Sequence, residues 1–178
     1  MSLRTVVVSS VVMIAVGLGL AAAETPNQAF NGRIMLSGKR FPQSASSASA
    51  YTAQIRKQSV SSFAENKESH TWKIYFAGFL KLPLNDLEYA IKIYDVTGKS
   101  NQLLVSFDQY TNSRGQQSII SDMTLDKKQV GVNKELMMTM ESKGKVLASS
   151  KFKITGEGDH FTGKVDFSED EASGKSDQ

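Results

Sequence analysis

From residue 71 the chain reads TWKIYFAGFLKLPL, and its side chains sort by every second position. Trp72, Ile74, Phe76, Gly78, Leu80 and Leu82 fall on one side of an extended backbone; Lys73, Tyr75, Ala77, Phe79 and Lys81 fall on the other. A period of two fits a half-buried strand, because a helix repeats its apolar face about every 3.6 residues. The alternation returns in Leu87, Tyr89, Ile91 and Ile93, in Leu103, Val105 and Phe107, and in a shorter run from Ile119 to Leu125. Arg33–Ser37 reads as an earlier strand, and Phe161–Phe167, with Phe161, Gly163, Val165 and Phe167 inward, as a last one. The clearest hairpin is ELMMTMESKGKVLASSKFKI. Leu136, Met138 and Met140 share a face, Gly144 supplies the turn, and Val146, Ala148, Ser150, Phe152 and Ile154 return on one side.

Two stretches interrupt this pattern. QSASSASA, residues 43 to 50, is too small and polar to offset its ordering entropy and reads as a flexible loop. In Tyr51 to Phe63, the residues Tyr51, Ala53 and Ile55 alternate as on a strand, while Tyr51 and Ile55 also have the i, i+4 spacing of a helix; the Thr, Ser and Val content favours strand. Seven or eight short strands between Gly, Asn, Asp and Ser turns, with no convincing helix, predict an all-β protein. The leading form is an antiparallel immunoglobulin-like β-sandwich. The alternative is a small up-and-down β-barrel.

The first residues set the expected destination. Arg4, then a Val, Ile, Leu and Gly run ending at Ala21-Ala22-Ala23, reads as a signal peptide over residues 1–23. Its strongly apolar part, Val11 to Leu20, falls short of the roughly 20 residues that span a bilayer, so no membrane span is expected after cleavage. One domain is expected over 24–167, with a disordered polar tail over 168–178. Bacterial Sec-type export to the periplasm or the extracellular space follows. The sequence contains no cysteine, so packing alone must hold the exported domain together. Of 21 basic and 18 acidic residues, one base, Arg4, leaves with the signal, and the mature net charge is +2. That near-neutral mixture gives no basic stripe for nucleic acid.

No catalytic, metal or cofactor site is legible. His70 and His160 are the only two histidines and lack the spacing of a zinc helix. Glu68 and Asp159 are their nearest acids in sequence, and His70 reads as the entrance to a buried strand. Gly98-Lys99-Ser100 and Gly174-Lys175-Ser176 imitate the end of a phosphate loop, but Ile93 and Glu169 stand where its first glycine belongs. Ser142 with Lys145 falls in a hairpin turn, and strand alternation sends Ser150 and Lys153 to opposite faces. GEGDH at 156–160 and SEDE at 168–171 offer oxygens without the fixed cage calcium requires.

A surface remains. Lys73, Tyr75, Phe79 and Lys81 on the outward side of one strand, with Lys92 and Tyr94 on an expected neighbour, interleave aromatics with lysines and form the candidate binding patch. The expected function is a non-catalytic binding or structural module engaging a protein or cell-envelope partner. The alternative is a periplasmic carrier of a small apolar ligand in a barrel cavity.

Overall fold

The computed structural model describes residues 24–158. The expected signal, the expected strand Phe161–Phe167, His160 and the polar tail lie outside them. The described elements, in chain order, are α1 (Pro26–Ala29), β1 (Arg33–Ser37), α2 (Ala48–Gln58), β2 (Ser62–Ala64), β3 (Thr71–Leu84) and β4 (Glu88–Asp95). There follow β5 (Gln102–Tyr110), β6 (Gln116–Asp126), α3 (Lys127–Val130), β7 (Lys134–Ser142) and β8 (Lys145–Thr155). The protein is mostly β, as the alternation requires.

All eight strands belong to one mixed sheet, in the order β5-β4-β7-β8-β1-β3-β6, with β2 added beside β8. This arrangement does not confirm an immunoglobulin-like sandwich. The reason lies in β1, which pairs antiparallel with β3 from Arg33↔Phe79 to Ser37↔Tyr75 and also meets β8, in parallel, at Arg33↔Ser149. One five-residue strand thereby joins what would otherwise be two sheets. The second parallel contact, Ser62–Ala64 against Lys153–Thr155, departs from the all-antiparallel expectation too. The joined sheet curls into a half-barrel. Its two ends, β5 and β6, are consecutive in the chain but lie at opposite edges of the sheet, so a sequential up-and-down barrel is not what forms.

The curl lets one sheet bury its own inner face. Trp72, Ile74, Phe76, Ile91, Ile93, Leu125, Leu136, Met138, Met140, Phe152 and Ile154 fill it, all but solvent-free. A Cβ built on Gly78 would lie 2.7 Å from the Met140 Cε, although β3 and β7 are not neighbours in the sheet. Two walls of the half-barrel therefore touch at this point, and only a residue without a side chain admits the methionine there. Met138 and Met140 are core fillers, as their alternation predicts.

Alternation fails where the ladder slips. Leu82, expected inward, is exposed, because the pairing of β3 with β6 shifts between Phe79 and Leu84. Val146 is exposed for the same kind of reason: a shift at Met140/Glu141 adds a residue and buries Leu147 and Ala148 in succession. The β7–β8 turn itself follows expectation, with Lys143 at φ 50° and Gly144 at φ 75°, the pair of positive values a two-residue hairpin loop uses.

The expected strand over Tyr51 to Phe63 is corrected: most of that stretch is the helix α2, and only Ser62–Ala64 is strand. Ser47, within the expected Ser/Ala-rich loop, caps the helix by accepting from the Ala50 N–H at 3.1 Å. Tyr51 and Ile55 then sit one turn apart on its inward face. Ile55, completely buried, joins Phe30, Phe41, Ala77 and Phe79 in a second, smaller core on the outer side of β1 and β3. The Phe30 and Phe79 rings pack at 5.1 Å, and the Arg56 guanidinium caps Phe30 at 5.6 Å.

Candidate functional site

His70 begins β3 from a tight turn, at φ 53°, with its N–H bonded to the Asn66 carbonyl at 2.8 Å. Its acid partner is Glu65, five residues upstream, and not Glu68, its nearer neighbour in sequence. The His70 Nδ1 meets the Glu65 Oε1 at 2.8 Å, and the other carboxylate oxygen accepts the Glu157 N–H at 3.0 Å. The Glu65 side chain is only 4% exposed. Gly156 passes so close that a Cβ on it would lie 2.3 Å from the Glu65 carboxylate. The cluster therefore clamps the end of β8 to the turn before β3, which is a structural task. Trp72 completes the clamp by donating its Nε1–H to the Thr155 carbonyl at 3.1 Å.

The six residues of the candidate patch separate. Lys73 and Tyr75 stay together on the outer face of β3, with the Lys73 Nζ 5.6 Å from the Tyr75 ring centroid and ion-paired to Asp122 on β6. Phe79 is a correction: it is 1% exposed, covered by α2 and Phe30. The sequence signal for two-sided burial was present, since Tyr75 to Leu80 is an unbroken uncharged run, the mark of a strand covered on both faces. Lys81 lies with its aliphatic stem over Gly32. Lys92 and Tyr94 are the second correction, because β4 has β5 and β7 as neighbours and is separated from β3 by three strands.

Lys92 and Tyr94 form a site of their own around Glu141. That carboxylate accepts from the Lys92 Nζ at 2.7 Å, the Thr139 hydroxyl at 2.8 Å and, more weakly, the Tyr94 hydroxyl at 3.4 Å. Burial would raise the Glu141 carboxyl, yet the bonds from Lys92 and Thr139 outweigh it and hold the group below its usual range. The hydrogen bond that Lys92 donates to Glu141 raises the lysine's own pKa, the opposite of what a nucleophilic lysine needs.

The same pairing of charges recurs at the far end of β4. Lys134 reaches the Asp95 Oδ2 at 2.9 Å, and the Thr97 N–H donates to its Oδ1 at 2.9 Å. Those two bonds, Lys134 first, hold Asp95 at about 2. A folded value below the unfolded one of 3.8 adds stability above that value, and the gain disappears as pH falls through about 2. Asp95→Asn is expected to lower stability at pH 7 by about 1 kcal/mol after solvent screening, and to flatten the decline between about pH 4 and 2. Urea titrations of both proteins across that interval check it; parallel pH profiles would count against the assignment.

A groove lies beside Lys73. β1 stops at Ser37, opposite Tyr75, while β2 leans on β8, so the beginning of β3 has no β1 alongside it. The resulting groove, about 490 Å³, is lined by Ser37, Lys39, Gln58, Val60, Thr71 and Lys73 among others. Among the described residues no group of three or more His, Cys, Asp or Glu is placed to hold a metal ion. No helix of the described residues is long and apolar enough to cross a membrane. A scan against protein-family models returned no match, and neither did a search of curated proteins.

Proposed function

We propose that the chain is an exported, non-catalytic binding module of the bacterial periplasm or cell surface, and that it engages a protein or envelope partner through the groove beside Lys73 and Tyr75. The observation that carries this reading is the survival of that lysine–tyrosine pair on an open outer face, at the rim of a groove that mixes hydroxyls, two ammonium groups and an exposed valine, Val60. Such a surface suits an extended polypeptide or a hydroxyl-rich glycan better than a small apolar molecule. The non-catalytic part is supported by the way charged side chains are used. Lys92 with Glu141, Lys134 with Asp95 and Lys143 with Asp86 each neutralise a neighbour between or beside strands, and His70 is held in a hydrogen bond with Glu65. The mature net charge of +2 favours no polyanion.

The test replaces both members of the pair, exposed Lys73 and half-buried Tyr75. Lys73→Ala with Tyr75→Ala is expected to leave the protein folded, because neither side chain is in a core, at a cost of about 1 kcal/mol for the half-buried ring and the ion pair to Asp122. In-cell crosslinking of the exported protein should lose its main partner band at least about tenfold, the effect of removing roughly 1.4 kcal/mol of contact. Undiminished crosslinking by a folded double variant would move the binding face elsewhere. Recovery of the protein only from the cytoplasmic fraction would remove the export reading independently.

A further inference from the structure

β1 leaves the beginning of β3 without a neighbour. Thr71 turns its carbonyl to the side of β1 and β2, where the Asn66 N–H reaches it at 2.9 Å, and Phe79 turns its carbonyl to the Gly32 N–H at 2.8 Å. The peptide groups of an antiparallel strand alternate between its two sides, so Lys73, in step with both residues, presents its N–H and C=O to that side too. β1 ends at Ser37, opposite Tyr75, and among the described residues nothing pairs with the Lys73 backbone there. The facing wall is similar. In β2 and its flanks, the Ser61 carbonyl accepts the Lys153 N–H and the Glu65 N–H donates to the Thr155 carbonyl, both at 2.8 Å, so Ser62 and Ala64 present their peptide groups away from β8, to the groove. Unpaired strand backbone is matched by the backbone of another extended chain. Neither a glycan nor a lipid headgroup offers the same alternation of donors and acceptors.

The rim of this groove is cationic. The near-neutral total charge hides a segregation: between Glu24 and Glu65 the chain has no acidic residue and five basic ones, Arg33, Lys39, Arg40, Arg56 and Lys57. Arg33 opens β1 and Arg56 is turned to the Phe30 ring, which leaves Lys39, Arg40 and Lys57 exposed and, among the described residues, without an ion pair. The Gln58 side chain ties the last turn of α2 to the loop after β1 by donating to the Arg40 carbonyl at 2.8 Å. Gln58 also lines both the groove beside Lys73 and a second cleft, about 530 Å³, which Arg40, Pro42 and Lys57 surround. The two hollows thus adjoin. Their concave shape suits a chain and not a flat membrane, and among the described residues Val60 is the one exposed large apolar side chain lining either of them, too little to anchor in lipid. Given that the groove beside Lys73 is the binding face, we propose that the partner enters it with an acidic, extended polypeptide segment, which adds to β3 beside Lys73 and lays its carboxylates against Lys39, Arg40 and Lys57. Thr71 to Tyr75 is only about 13 Å of strand, so backbone pairing sets the register while the charges speed the encounter and select the partner.

The test uses the full mature chain and a short fluorescein-labelled peptide alternating Glu with Thr, beside a second peptide with Gln in place of Glu. Fluorescence polarisation should show the Glu peptide binding at least about tenfold more tightly than the Gln peptide, and weakening about tenfold between roughly 0.05 and 0.3 M salt. Arg40→Glu with Lys57→Glu should weaken it about tenfold or more. Lys99→Glu with Lys145→Glu, the same change of charge at exposed positions on the β4–β5 connection and the start of β8, should change it less than about threefold. Bound peptide should also slow exchange of the Lys73 amide about tenfold; binding without that protection would be an ionic contact alone and would overturn the strand addition. Equal weakening by the two charge reversals would overturn the site. Capture of the protein by phosphatidylglycerol vesicles, with no binding of the Glu peptide, would also overturn it, since a membrane would then be the occupant. In-cell crosslinking separates this inference from the reading it rests on. A partner band lost with Lys73→Ala and Tyr75→Ala yet intact with Arg40→Glu and Lys57→Glu keeps the groove and removes the acidic segment, whereas a band intact in both removes the groove itself.

Discussion

Trp72→Ala is expected to destabilise the protein by about 3–5 kcal/mol, a large share of the roughly 5–15 kcal/mol that holds a domain together. The side chain is 1% exposed in the inner core, so its removal loses both transfer free energy and the contacts lining the cavity left behind. It also leaves the Thr155 carbonyl without the indole donor and so loosens the end of β8. Urea unfolding followed by far-ultraviolet circular dichroism measures the loss; fluorescence does not serve, because Trp72 is the only tryptophan. Trp72→Phe separates the contributions. It keeps most of the volume and removes the donor, for an expected cost of about 1–2 kcal/mol. A loss under about 1 kcal/mol for the alanine variant would mean that Trp72 is not in the core.

Ile55→Asp should have an effect of similar size but different reach. The residue is fully buried on the inward face of α2, and a carboxylate there would face the apolar side chains of Phe30, Phe41, Ala77 and Phe79. Burying it among those side chains costs several kcal/mol, more than the docking of an 11-residue helix can supply, so the helix is expected to release instead. Amides of 48–58 should then exchange at nearly the free rate, and the bared phenylalanines should bind a hydrophobic dye. The inner core does not include Ile55, so Trp72 fluorescence should stay at its folded wavelength. Simultaneous loss of both would show that the two cores melt as one cooperative unit.

These two positions also mark what the sequence could and could not disclose. Trp72, Ile74 and Phe76 were legible because alternation over a long run leaves one choice of inner face. The number of sheets was not legible, because a strand buries its apolar side equally well against a second sheet or against the far wall of its own curled one. That choice rests on Arg33 meeting Ser149, a pairing no local pattern announces. The helix at 48–58 was hidden by its small inward face, where Tyr51, Thr52 and Ile55 do most of the packing amid serine and alanine whose composition imitates a loop. Phe79 was assigned to the surface because alternation gives only two sides and says nothing of what lies beyond the outer one. The lysine–tyrosine pair at 73 and 75 survived because both residues sit on one strand. Lys92 and Tyr94 did not join them, since neighbourhood between strands depends on topology.

The position of β1 between β3 and β8 constrains how the molecule assembles in time. The first strand made has one of its two partners in the last strand described, so ribosomal output delivers a polypeptide whose sheet cannot be completed until nearly everything has been synthesised. Such non-local closure slows folding to milliseconds or longer, roughly, and prolongs the lifetime of species with bare strand margins. A chain built this way lives longer without a complete sheet than one whose strands pair in the order they are made, and the late arrival of Ser149 opposite Arg33 is what ends that interval.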